Sequence, residues 1–169
     1  GFWNYGSGRG ESFTPNTLIG VGPLSQLMDV KNNASAMRMI GNAQVDYKVH
    51  GFEALRFNLS LGMDISQSKS YNGVNPGSFQ AYTDTENRGI GQHNKGVNFR
   101  RNQLLEFYAN YNETWGVHTL DVMAGYSWQH FYGADHSVTY FNVTNEQKGE
   151  DSRYPWNKWE TYLISFYGR

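Results

Sequence analysis

From Met37 to Val49 the side chains alternate. The odd positions carry Met37, Met39, Gly41, Ala43, Val45, Tyr47 and Val49; the even positions carry Arg38, Ile40, Asn42, Gln44, Asp46 and Lys48. After His50, Gly51, Phe52 and Glu53 the alternation resumes. Leu55, Phe57, Leu59, Leu61, Met63 and Ile65 face Arg56, Asn58, Ser60, Gly62 and Asp64 across the backbone. Successive side chains of a strand point to opposite sides, so the pattern predicts two strands with one apolar and one polar face, over 37–49 and 54–66. Each runs to about twelve residues, twice the usual length of about 5–6. A third strand is expected over 102–111. Leu105, Phe107, Ala109 and Tyr111 lie opposite Glu106, Tyr108 and Asn110, and Leu104 breaks the polar side. A fourth, 118–129, sets Leu120, Val122, Ala124, Tyr126 and Trp128 against Thr119, Asp121, Gly125, Ser127 and Gln129, with Met123 as its exception. A fifth, 160–169, sets Tyr162, Ile164 and Phe166 against Thr161, Ser165 and Arg169.

The connections alternate in length. Residues 50–54 and 112–116 make short turns, in the second of which Gly116 can supply a positive φ. Residues 67–101 and 130–159 read as long polar loops, the second with a short ribbon over 137–144. Residues 1–36 read as an irregular region, punctuated by Gly and Pro, with one helical turn over 24–28. The predicted fold is all-β: an antiparallel up-and-down meander of about five long strands. All short turns then fall at one end and all long loops at the other, the asymmetry of outer-membrane barrels. Twelve residues at about 3.4 Å each, tilted by about 40°, rise roughly 30 Å, enough for an apolar band of about 25 Å. Tyr47, Phe52, Tyr111 and Trp115 gather at the short-turn end, Tyr126 and Trp128 at the other, like the two aromatic girdles of such barrels. Five strands do not close a membrane barrel. The expectation is therefore a segment of a large transmembrane β-barrel, its charged face lining a wet lumen. The alternative is an open sheet or sandwich that buries its apolar face by stacking or self-association and acts as a soluble carbohydrate-binding module without a transport role.

Composition changes this picture little. The 169 residues carry a formal net charge of −1, which gives no electrostatic case for nucleic acid. Mean hydropathy is −0.66, but an alternating barrel strand produces no hydropathy peak. No apolar run of 18 residues is present, so no transmembrane helix is expected. There is no Cys, which removes thiol chemistry and disulfides. The start lacks the pattern of a signal peptide, and the end stops within a strand pattern, as expected of a piece cut from a longer chain.

Five runs occur in one order. They are Met39-Ile40-Gly41-Asn42-Ala43 leading to Tyr47; 57–64, Phe-Asn-Leu-Ser-Leu-Gly-Met-Asp; 110–118, Asn-Tyr-Asn-Glu-Thr-Trp-Gly-Val-His; 120–127, Leu-Asp-Val-Met-Ala-Gly-Tyr-Ser; and 162–169, Tyr-Leu-Ile-Ser-Phe-Tyr-Gly-Arg. Together they resemble the middle of the barrel of SusC/RagA-type TonB-dependent outer-membrane transporters of Bacteroidetes-like bacteria. The resemblance covers about 36–169; residues 1–35 match more loosely, through Pro23-Leu24-Ser25-Gln26-Leu27. It implies a parent barrel of about 22 strands, a plug, a TonB-binding segment and a SusD-like surface lipoprotein as lid. It also implies contact with outer-membrane lipid and a glycan or peptide substrate.

Candidate chemistry is sparse, and no enzymatic constellation, cofactor motif or metal-ligand spacing is expected. The five His, at 50, 93, 118, 130 and 136, have no ligand spacing, and Asp135-His136 is the one pair that a folded loop would need to bring to a metal. Gly6/Gly8 and Gly89/Gly91 lack the following helix of a phosphate cradle. Asp84, Glu86, Glu146, Glu150 and Asp151 read as solvated loop charges. The sequons at Asn33, Asn58, Asn112 and Asn142 read as coincidence in an Asn-rich chain. The binding candidates are loop aromatics able to stack on sugar faces: Tyr71, Tyr82, Tyr132, Trp156 and Trp159. The competing reading packs them loop on loop or against a lid.

Overall fold

The computed structural model describes residues 6–8, 14–16, 22–82, 89–144, 146 and 156–169. Five long strands form one antiparallel sheet in strictly sequential order. They are β3 (Val30–Lys48), β4 (Leu55–Val74), β5 (Gln92–Trp115), β6 (His118–Phe141) and β7 (Asn157–Gly168). Before them come a two-stranded pair, β1 (Gly6–Ser7) with β2 (Thr14–Pro15), and a short helix, α1 (Pro23–Asp29). A second helical turn, α2 (Phe79–Tyr82), lies between β4 and β5. The all-β meander expected from alternation is the observed one.

The strands are much longer than the alternation indicated. β5 and β6 each hold 24 residues, β4 holds 20 and β3 holds 19. The polar segment 67–101 contributes the last eight residues of β4 and the first ten of β5; the segment 130–159 contributes the end of β6 and the start of β7. The ribbon expected over 137–144 is largely a continuation of β6, and β3 starts inside the stretch read as irregular. The physical reason is that ladder hydrogen bonds come from the backbone and do not depend on side-chain polarity. Cross-strand polar pairs then hold the ladder where apolar alternation has stopped. Asn94 donates to Ser137 Oγ (3.0 Å) and Thr139 Oγ1 (3.1 Å), and Asn98 donates to Asp135 (2.5 Å).

The reversals are made where the sequence marks them. Gly51 takes φ 81° in the β3–β4 turn, which is closed by hydrogen bonds between Val49, Phe52 and Leu55. Gly116 takes φ 63° between β5 and β6. α1 begins with Pro at its first position, as expected of a residue without a free N–H. Its last carbonyls are capped from a distance: Asn75 donates its backbone N–H to Asp29 O and its side-chain amide to Met28 O. α2 is capped by Ser78, whose Oγ accepts from the Ala81 N–H at 3.2 Å.

The chain divides into two compact units, and β4, β5 and β6 contribute to both. One holds Gly1–Ala36, Ser68–Asn98 and Asp135–Asn157; the other holds Met37–Gln67, Phe99–Ala134 and Lys158–Arg169. We call them the mixed unit and the alternating unit. Neither has an ordinary apolar core. Among the described residues the only buried hydrophobic side chains are Ala81 and Ala134, while Asn58, His93 and His130 are buried polar ones.

Candidate functional site

In the alternating unit the two faces behave differently. On the polar face the charges find one another. The Arg38 guanidinium grips both oxygens of Asp64, at 2.9 and 2.8 Å. Arg56 pairs with Asp46 at 3.2 Å, and Asp121 receives Asn110 at 3.0 Å and Arg169 at 3.3 Å. Asn58, at 2% exposure the most buried of the large side chains, accepts from Gln44 and Ser60 and donates to Asp46. Large side chains lie over glycines on the same face. Leu104 packs on Gly62, Tyr167 on Gly125 and Trp159 on Gly133. This explains why Leu104 interrupts the polar alternation of its strand: it occupies the space that Gly62 leaves.

On the apolar face the rings stack with one another. Phe57 lies on Phe107 (centroids 5.9 Å), Tyr126 on Phe166 (5.3 Å) and His130 flat on Tyr162 (4.3 Å). Leu55, Leu59, Ile65 and Leu105 on this face are half-buried by their neighbours, and much of the rest is exposed. Met37, Met39, Val45, Leu61, Met63, Leu120, Val122 and Ile164 are all exposed large hydrophobics.

The mixed unit holds a different arrangement. Tyr71, His93 and Tyr140 form a stack with spacings of 5.6 and 5.4 Å, with the Lys95 ammonium over Tyr140 at 5.4 Å. His93 Nδ1 meets Asn142 Oδ1 at 2.6 Å, and the Asn142 amide donates to Val74 O. The unit also contains an open groove of about 440 Å³. It is lined by Ser68, Ser70, Val97, Asn98, Asp135, His136, Ser137 and Asn157, with Gly96 between them. A Cβ on Gly96 would sit 2.6 Å from Ser70 Oγ, so glycine is what keeps the groove open there. Its exposed lining is mostly carbon, with the hydroxyls of Ser68 and Ser70 among the polar groups at its edge and Asp135 already bonded to Asn98.

The five aromatic candidates are not gathered in one place, and most are not on loops. Tyr71 lies in β4, in the stack with His93. Tyr82 ends α2, its ring against Gly89, where φ is 78°. Tyr132 lies in β6, beneath the Arg101 guanidinium at 5.3 Å and edge-on to Phe99. Trp159 lies in β7, over Gly133 and below Arg100. Trp156 precedes β7 and stacks on His136 at 4.9 Å. Of the five, Trp156 is the one in ring contact with a residue of the groove lining, His136, but on the face of the sheet opposite the groove's polar side chains. The groove itself was missed because its residues are small, polar and distant in sequence; a run such as Ser68-Lys69-Ser70 carries no signal of a site.

Asp135 and His136 are adjacent on a strand, so their side chains leave on opposite faces, Asp135 toward Asn98 and His136 toward Trp156. They do not converge on one ion. Asp84, Glu86, Glu150 and Asp151 lie outside the described residues. At the β3–β4 turn the Lys48 ammonium, 2.7 Å from Glu53, holds the Glu53 carboxyl below its ordinary range, through the hydrogen bond first and charge second.

No family model matches the chain. It is 28% identical over 138 residues to a protein named TonB-dependent receptor SusC, from Bacteroides thetaiotaomicron. The match covers 78% of this chain and 13% of that relative's length.

Proposed function

We propose that the chain is part of the barrel wall and surface-exposed strands of a TonB-dependent outer-membrane transporter that imports glycans or other nutrients. One observation carries the reading. In the alternating unit Arg38–Asp64, Arg56–Asp46 and Arg169–Asp121 pair and glycines are covered on one face, while the other face presents Met37, Met39, Val45, Leu61, Met63, Leu120, Val122 and Ile164 exposed. Lipid is the solvent in which such a face is stable. The similarity to SusC, distant and partial, supports the same class. On this reading the chain is not an enzyme. Its parent sits in the outer membrane of a Bacteroidetes-like bacterium and works with TonB and a SusD-like surface lipoprotein. The groove in the mixed unit is the proposed contact for a hydroxyl-rich substrate, and Trp156, stacked on His136 on the other face of the sheet, is a separate stacking candidate. Tyr71, Tyr82, Tyr132 and Trp159 are secondary candidates for stacking on the substrate.

This chain contributes no cysteine of its own, so a Cys introduced at one position is the one label within it. In the intact protein that carries this sequence, reconstituted in bilayers, fluorophores on Cys at Leu61 or Val122 should be quenched strongly by brominated lipid. Labels at Arg38 or Asp121 should be quenched by aqueous iodide instead. Equal responses on both faces would overturn the membrane orientation and favour a water-soluble sheet that self-associates.

A further inference from the structure

The alternating unit carries one cation whose surroundings do not satisfy it. Arg101 is on β5, on the same side of the sheet as Phe107, and its guanidinium lies over the Tyr132 ring. Among the described residues it makes no ion pair, and its Nε is buried with no acceptor in reach. That Nε is closed to an outside ligand, but the terminal guanidinium nitrogens are not buried and can engage an oxyanion with charge-assisted hydrogen bonds. The nearby carboxylate does not serve. Glu160 accepts a hydrogen bond from Tyr162 Oη at 3.2 Å and faces His130 Nε2 at 3.4 Å, while His130 Nδ1 faces Gln103 Oε1 at 3.3 Å. Lys158, exposed, shares by alternation the face of Glu160 and Tyr162, so Arg101 and Lys158 leave the cluster with surplus positive charge. The rings of Trp128, Tyr132 and Tyr162 stand beside it, the composition of the level where a bilayer's acyl region meets its headgroups.

We propose that Arg101, assisted by Lys158, binds the phosphate of an anionic lipid headgroup at the rim of the apolar face, with the lipid's acyl chains lying against the exposed hydrophobics below. The inference rests on the membrane orientation proposed above. A lipid is the occupant because the site is continuous with an uncovered apolar surface and offers cations at its edge. A free anion would use only the second feature.

The adjacent residue provides the control. Arg100 is on the opposite face, over Trp159, and carries the same charge. The intact protein is purified in neutral detergent and offered phosphatidylglycerol or phosphatidylcholine, and retained lipid is counted by native mass spectrometry. The native protein should retain phosphatidylglycerol preferentially. Arg101→Gln should lower that retention about tenfold, the effect of one lost charge-assisted hydrogen bond, and Arg101→Lys should restore part of it. Arg100→Gln should leave it unchanged. Equal loss in Arg100→Gln and Arg101→Gln, or no loss in either, overturns the site. Displacement of the lipid by excess inorganic phosphate overturns the choice of a lipid. Lipid quenching at Leu61 and Val122 separates the two readings. If those labels are quenched while Arg101→Gln retains lipid, only the headgroup site fails; if they are not quenched, both readings fail.

Discussion

The two units are built largely from the same strands, yet their side chains solve different problems. In the alternating unit, Leu61, Met63, Phe107 and Val122 stand opposite Asp64, Asn58 and Asp121, and the apolar set is left uncovered. In the mixed unit both faces are polar or aromatic: Asn94, Asn98, Asp135 and Ser137 on one, Tyr71, His93, Lys95 and Tyr140 on the other. The hydrogen-bonded ladder is continuous through both, because it is made by backbone groups. What changes is the solvent each stretch suits. A face of amides, hydroxyls and imidazoles is stable in water, and an unbroken set of Leu, Met and Val is stable in lipid. The transition falls near Gln67, Asn98 and Ala134, so the length of a strand and the length of its apolar face are separate quantities.

The largest break in this comparison should come from putting a charge on the apolar face. In bilayers Leu61→Arg should cost about 2–4 kcal/mol, read by denaturant titration of the reconstituted protein. The same change at Val143, in the mixed unit, should stay within about 0.5 kcal/mol. Val143 is the more exposed of the two, 65% against 44%, so exposure to water gives the same order; the test is the size of the Leu61 cost, which a water-covered face would also hold within about 0.5 kcal/mol.

Next come the covered glycines. A Cβ on Gly133 would lie 2.3–2.5 Å from Trp159 ring atoms, so Gly133→Ala should cost about 1–3 kcal/mol. In a Trp159→Ala background most of that cost should vanish, which a double-mutant cycle measures. Gly41 has nothing within 4 Å, and Gly41→Ala should be neutral or slightly stabilising. A full cost at Gly133 without Trp159 would mean that the ring is not what covers it.

Smaller again is the cap of α2. Ser78→Ala removes one of the two acceptors of the Ala81 N–H, leaving the Ser78 carbonyl, and should cost about 0.5 kcal/mol, confined to the mixed unit. Hydrogen exchange should rise around 78–82 and remain unchanged at Phe107 and Val122.

The smallest effect is the pH response of the β3–β4 turn. Glu53 titrates below its ordinary value when folded, so the pair's contribution is complete above the unfolded carboxyl's pKa. It is lost as the pH falls through the folded one. A carboxyl-detected NMR titration should return the Glu53 midpoint to the ordinary range in Lys48→Gln. An unchanged midpoint would remove Lys48 as the cause.

Much of the alternating unit was legible in the chain. Odd and even positions from Met37 onward assign its faces, and Gly51 and Gly116 fall where positive φ is required. The mixed unit was not legible in the same way. Gln67-Ser68-Lys69-Ser70 and Asn94-Lys95-Gly96 look like loop sequence, because polar residues without alternation carry no periodic signal. The aromatics were identified as a feature of the chain, but their partners were not. Tyr71 meets a histidine on β5, and Trp159 meets a glycine on β6.

By itself, then, the sequence determined which stretches alternate, where the tight turns fall and that the chain is all-β. Each of these depends on residues within a few positions of one another, through side-chain polarity and backbone φ. The tertiary structure decided how far the strands run, that Arg38 finds Asp64 and His93 finds Asn142, and that small polar residues from β4, β5, β6 and β7 form one groove. Those outcomes depend on strand register, which brings together residues 26 and 49 positions apart. Register is fixed by the whole ladder at once, and no local pattern encodes it.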